Sequence, residues 1–267
     1  MKFFISCDIE GVAGISTWRE ADRLEADHQK YALQMTREAT AACEGILETG
    51  DHDILVRDAH ASARNMDISA FPENVKFIRG WSGHPYSMMD GIDETYDACL
   101  MIGYHSPAGS ERNPLAHTNS SSTYFTIHIN GERASECMIN SFTAASLGVP
   151  LLFLSGDKGI CEEAEELCKG AKTVATTEGT GHSVLSLHPN KSVELIRQTV
   201  AEAVKAGMPT PTPLPKKFTV QLRFKEHIHA YSASFYPGVK LLDCRTLEYT
   251  SDQWFDILTM IKFSMIK

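Results

Sequence analysis

The stretch Phe3-Phe4-Ile5-Ser6-Cys7-Asp8-Ile9-Glu10-Gly11 decides the reading of this chain. An apolar run suited to a buried strand ends in two carboxylates spaced i, i+2. Side chains alternate along a strand, so Asp8 and Glu10 point the same way. Gly11 then allows a sharp turn. Two acids side by side repel each other and are costly to desolvate. A cation between them removes both costs.

Two more apolar runs end in ligand-type residues. One is Ile54-Leu55-Val56-Arg57-Asp58-Ala59-His60, the other Cys99-Leu100-Met101-Ile102-Gly103-Tyr104-His105. In open α/β sheets, ligands collect beyond the carboxyl ends of the strands. Three strands delivering Asp, Glu or His at that end point to one shared site. Asp58, two residues before His60, is either an orienting partner of a ligand or an ordinary strand-end acid.

The chain has 267 residues, 43% of them hydrophobic, enough for one large core or one core with an appendage. The net charge is -9 with no basic run, which argues against nucleic acid. No apolar stretch approaches the ~20 residues that span a bilayer. The N-terminal residues lack a signal-peptide layout. The seven cysteines (7, 43, 99, 137, 161, 168 and 244) form no CxxC. They read as reduced core thiols of a cytoplasmic protein rather than zinc ligands.

Strand and helix patterns alternate. Residues 3–8 and those near 53–58, 75–79 and 97–103 read as strands, and 28–49 as a long helix stopped by Gly50. Residues 106–122 hold Pro, Gly, Ser and Asn without a period and form a long loop, a length commonly functional. A strand at 124–129 meets Asn130-Gly131, a strong hairpin signal. Helices at 135–147, 158–169 and 190–206 and strands at 150–155 and 171–176 continue the alternation. Pro209, Pro211, Pro213 and Pro215 form a stiff joint. Beyond it, 218–224 and 239–248 read as strands, and Ser251-Asp252 caps a last helix. The expected fold is α/β, a central, mostly parallel twisted sheet flanked by helices, with a smaller C-terminal α+β portion. The expected division is 1–208 catalytic, 209–217 joint, and 218–267 packed on it.

Glu136 falls at the start of the helix after the hairpin, with Asn140 one turn on. It is either a first-turn acid favoured by the helix dipole or a functional carboxylate. His117 in the long loop is either exposed to water or part of a site. His227 and His229 alternate on a possible strand, and nothing else points at them. Gly179-Thr180-Gly181-His182 lacks the Lys-Ser/Thr of a phosphate cradle.

The ordered series Ser6-Cys7-Asp8-Ile9-Glu10-Gly11, Asp58-Ala59-His60-Ala61-Ser62, Gly103-Tyr104-His105, His117, and Ser135-Glu136 with Asn140 resembles the D-aminopeptidase family of zinc peptidases. The likeness continues through Ser155-Gly156-Asp157 and the Pro-rich joint to Pro237-Gly238. This resemblance implies Asp8, Glu10, His60, His105 and Glu136 as metal ligands, Asp8 bridging two Zn²⁺ ions, and His117 as the catalytic histidine. It also implies D-configured N-terminal residues such as D-Ala in short peptide substrates, and large ring-shaped homo-oligomers. Five ligand side chains exceed one closed zinc shell and suit two divalent ions sharing a carboxylate. A dinuclear hydrolase of another amide or ester, or a non-catalytic metal-binding relative, are the rival readings.

Overall fold

A computed structural model of the chain describes residues 1–265. Nineteen α-helices and β-strands follow in order along these residues. The first half holds β1 (Lys2–Cys7), α1 (Trp18–Ala21), α2 (His28–Leu47), β2 (Asp53–Asp58), β3 (Lys76–Ile78), β4 (Ala98–Tyr104), β5 (Tyr124–Ile129) and β6 (Glu132–Arg133). Then come α3 (Glu136–Ser146), β7 (Leu151–Asp157), α4 (Lys158–Leu167), β8 (Lys172–Thr180), β9 (Ser183–Ser186) and α5 (Pro189–Ala206). The C-terminal part holds β10 (Phe218–Phe224), α6 (His227–Ala233), β11 (Lys240–Leu241), β12 (Thr246–Ser251) and α7 (Trp254–Ser264).

The central sheet runs β3-β2-β1-β4-β7-β8-β9, parallel except for the β8–β9 edge hairpin. Residues 3–7, 98–104 and 151–157 are buried throughout, as parallel strands covered on both faces require. Helices α2 and α5 cover one face, and Gly45 lets them approach: a Cβ there sits 2.4 Å from the Arg197 carbonyl oxygen. Helices α3 and α4 cover the other face.

The chain leaves β1 toward β2 and β3 on one side, then returns to β4 on the other. The crevice at this reversal is where open α/β sheets bind ligands. Registry fixes what meets there. Cys7 pairs with both Asp58 and Ile102, so the residues after β1, β2 and β4 emerge side by side. Close approach seals the junction: Asp8 N–H donates to Ile102 O (2.8 Å) and Gly11 N–H to Gly103 O (2.8 Å).

The second sheet is antiparallel, in the order β11-β12-β10-β5-β6. It draws strands from both sides of the Pro-rich joint, since β10 pairs with β5. Its core packs against α3 and α7. Asn130 and Gly131 both adopt positive φ (52° and 91°) in the β5–β6 turn, the geometry an Asn-Gly hairpin provides.

Three expectations need correction. The strand read at 239–248 is a hairpin, β11 and β12, with Asp243 Oδ1 turning the chain by accepting from Arg245 N–H at 2.7 Å. His227 and His229 lie on helix α6, where Ala230 and Ala233 are buried at i, i+3 spacing. The last helix, α7, is not capped by Ser251-Asp252: its N-cap is Gln253, without a side-chain cap hydrogen bond, and Ser251 Oγ accepts from Gln253 N–H at 3.0 Å.

Candidate metal centre

Asp8 and Glu10 follow β1, His60 the β2 loop, His105 the end of β4, and Glu136 the first turn of α3. All five are buried. His60 Nδ1 lies 3.1 Å from Asp8 Oδ1 and 3.1 Å from Glu10 Oε2. His105 Nε2 lies 3.5 Å from Asp8 Oδ2 and 3.5 Å from Glu136 Oε2. The two oxygens of Asp8 therefore serve two separate groups. Asp8, Glu10 and His60 form one cluster with cation-ligand spacing; Asp8, His105 and Glu136 form another. A third grouping joins Glu10, His105 and His117.

Each histidine is oriented by a backbone carbonyl. His60 Nε2 is 2.8 Å from Ala21 O, His105 Nδ1 is 3.0 Å from Ser106 O, and His117 Nδ1 is 3.0 Å from Leu115 O. A carbonyl only accepts, so those nitrogens carry hydrogen. The opposite nitrogen of each ring faces the acids, the arrangement that carbonyl partners impose on metal-binding imidazoles.

Burial raises the cost of charge on Asp8, but the His105 and His60 imidazoles beside it outweigh that cost and hold its carboxyl well below the usual range. Burial likewise opposes charge on His60 and His105. The Glu10 carboxylate beside the first and Glu136 beside the second win, pushing both imidazoles well above their ordinary value. The pocket is thus an excess of buried negative charge seeking cations.

Two buried atoms test whether metal ions fit. Glu10 Oε2 and His105 Nε2 have no hydrogen-bond partner, although both face the cluster. Buried polar atoms are almost always partnered. Carboxylate oxygens and imidazole nitrogens are the donors Zn²⁺ takes. The residues fit the ions.

The loops around the centre are held by further polar groups. Asp58 accepts from Asn65 N–H (2.6 Å) and Met66 N–H (2.9 Å), while Asn65 Nδ2 donates to His60 O (2.8 Å). Asp58 therefore fixes the turn that carries His60, without touching the imidazole. Asp157 accepts from Ser106 N–H (2.5 Å) and Asn113 Nδ2 (3.0 Å), anchoring the long loop at the end of β4. Asn140 donates to Tyr104 Oη (2.9 Å), whose hydroxyl donates to Ser6 Oγ (2.8 Å). This network lies beneath the site rather than in it. Ser135 caps α3 through Met138 N–H (2.9 Å), presenting Glu136.

His117 lies at the edge of the centre, its Nε2 3.6 Å from Glu136 Oε1. The Trp18 ring meets it edge-on at 5.3 Å. A cleft of about 820 Å³ opens over the acids, and Trp18, Trp81, Met88, Asn119 and Lys262 are among its walls. The sequence offered no period or motif for these wall residues, which arrive from the short helix α1, from connecting segments and from α7. Asn119 contributes its N–H to Glu136 Oε1 (2.7 Å) from a left-handed backbone, φ 60°. That conformation is tolerated by Asn more readily than by most residues.

A family model described as D-aminopeptidase, of the M55 peptidases, matches residues 1–263. A D-aminopeptidase of Bacillus subtilis (strain 168) is 27% identical over 246 residues, covering 90% of this chain and 88% of that protein. The fold matches that of the Zn-dependent D-aminopeptidase DppA from Bacillus subtilis, described as a self-compartmentalizing protease. The TM-score is 0.92, with 24% identity over 99% of this chain and 96% of the other. With the family model spanning nearly every residue, this chain belongs to the D-aminopeptidase family of peptidases.

Proposed function

We propose that this chain is a zinc-dependent aminopeptidase that releases a D-configured residue, such as D-Ala, from the N-terminus of short peptides. The observation that carries this reading is the division of the two Asp8 oxygens between two buried clusters. Asp8, Glu10 and His60 would hold one Zn²⁺, and Asp8, His105 and Glu136 a second. Such a pair supplies Lewis acidity toward a carbonyl and an activated water at neutral pH.

The remaining work falls to side chains. The buried carboxylates keep the ligand imidazoles aligned. His117, anchored through Nδ1 to Leu115 O, has Nε2 free to pass a proton to the departing amine. Trp18 against its ring restricts its rotation.

Hydrolysis of D-Ala p-nitroanilide tests the reading. The D-isomer should turn over faster than the L-isomer, lose activity in a chelator, and regain it on adding Zn²⁺. Equal rates for the two isomers contradict the stereochemical part. Full activity in chelator contradicts the metal part.

We also infer a homo-oligomeric ring. Helix α6 and the turn after it leave Ile228, Tyr231 and Phe235 exposed at 62%, 61% and 72%, an apolar stripe suited to a second copy. Ile228→Glu with Phe235→Glu should lower the mass seen by light scattering, while an unchanged mass removes this stripe from the interface. No helix among the described residues is long and apolar enough to cross a membrane. Six buried free thiols suit a reducing compartment, and we place the protein in the cytoplasm.

A further inference from the structure

The cleft holds one Lys or Arg among its described lining residues, Lys262 of α7. The other charged groups there are the ligand acids and Asp22, besides the histidines. Lys262 is half-buried. Its neighbours Leu258 and Ile261 are buried and fix the helix, and Met265 lies beside it in a small cavity that extends the cleft. Among the described residues Lys262 forms no ion pair and no side-chain hydrogen bond. Lys225, just after β10, instead donates to Ser121 O at 2.5 Å. A lysine kept at a cleft wall without a partner is a binding group in search of an anion.

Its position is defined relative to the centre. The small cavity next to Lys262 is also lined by Ser87 and Asn119. Asn119 is the residue whose N–H holds Glu136. Lys262 therefore stands on the Glu136 side of the cleft, whereas Ala21 and Asp22 stand on the His60 side. Ser87 and Asn119 both have left-handed backbones, φ 51° and 60°. Non-glycine residues in that region concentrate where a site demands a fixed backbone. The hydroxyls of Ser120, Ser121 and Ser122 line the same cleft and add neutral donors. An ammonium with hydroxyl donors recognises a carboxylate.

Size narrows the choice. A cleft of about 820 Å³ takes a ligand of drug-like dimensions, which is a peptide of a few residues. A short peptide carries a carboxylate at its C-terminus, and an internal segment of a long chain does not. We propose that Lys262 takes the C-terminal carboxylate of the peptide whose N-terminal bond lies over the acid–histidine centre. Lys262 is then the residue that restricts this site to short peptides with a free C-terminus. This inference rests on the aminopeptidase reading above.

Binding without turnover tests it. The probes are a D-Ala-D-Ala analogue with a reduced, uncleavable peptide bond and the C-terminal amide of the same analogue. Both are titrated calorimetrically into the zinc-loaded protein and into Lys262→Met and Lys262→Arg. The unsubstituted protein should bind the acid about 10-fold more tightly than the amide, the usual worth of a charge-assisted hydrogen bond. Lys262→Met should bring that ratio to about one, and Lys262→Arg should keep most of it. Equal affinity for acid and amide in the unsubstituted protein overturns the role of Lys262 and leaves the aminopeptidase reading standing. A preference that survives in Lys262→Met overturns it as well. Failure of the unsubstituted protein to bind either analogue overturns both.

Discussion

The imidazole rings of His105 and His117 lie stacked, 4.3 Å between centroids and 10° between planes. They differ in what surrounds them. The His105 side chain is wholly buried, and its Nε2 faces Asp8 and Glu136; the His117 side chain keeps 13% of its surface and looks into the cleft. We propose that His105 is a metal ligand and His117 a reagent. His117→Ala should retain its metal, and its kcat should fall by ~10²–10⁴, the worth of a positioned acid or base. His105→Ala should lose metal and melt earlier, because metal binding and folding are coupled. Metal analysis, melting and turnover of both variants separate the roles. Metal loss in His117→Ala makes that residue a ligand.

The junction of β1 and β4 depends on glycine. A Cβ on Gly11 sits 1.8 Å from Tyr104 O, a contact that only backbone movement relieves. Gly11→Ala should therefore push Asp8 and Glu10 away from His105. Unfolding in urea should show a loss of about 1–3 kcal/mol, the cost of overpacking, together with weaker metal retention. An unchanged midpoint with full metal content speaks against this tight junction.

Glu163 on α4 accepts a hydrogen bond from Ser135, the cap of α3. Burial is the main cause that pushes its carboxyl up to about 7, against the lowering effect of that hydrogen bond. The folded chain thus holds a proton that the unfolded chain releases near pH 4.5. The group's stabilising share is complete below about pH 4.5 and is lost as pH rises through about 7. Glu163→Gln stays neutral throughout. It should melt like the parent at pH 4 and above it at pH 8. The side chain is half-buried, so the gain is on the order of 1 kcal/mol, about 2–4 °C. A difference that shrinks with rising pH contradicts this account of Glu163.

What the sequence made legible follows from local physics. Buried parallel strands read as continuous apolar runs, so β1, β2, β4 and β7 could be located with their strand-end acids and histidines. The Asn130-Gly131 turn has its own chemistry and was equally plain. Trp18, Trp81, Asn119 and Lys262 were not legible. They come from the short helix α1, from loops and from a C-terminal helix, and only tertiary packing brings them to one cleft. Helix α6 misled for another reason: seven residues hold too few turns to show a helical period, and two alternating histidines imitate a strand. The second sheet joins β5 to β10, pairing Ile129 with Val220 and His128 with Gln221, too far apart along the chain for any local signal.

The central claim is that Asp8 joins two cation sites, and the metal content of the purified protein tests it most directly. Elemental analysis should find close to two zinc ions per chain in the unsubstituted protein. Asp8→Ala should lose both together, since each cluster draws one of its oxygens from that carboxylate. No bound metal in the unsubstituted protein, or an Asp8→Asn variant with full metal content and normal turnover, contradicts the account.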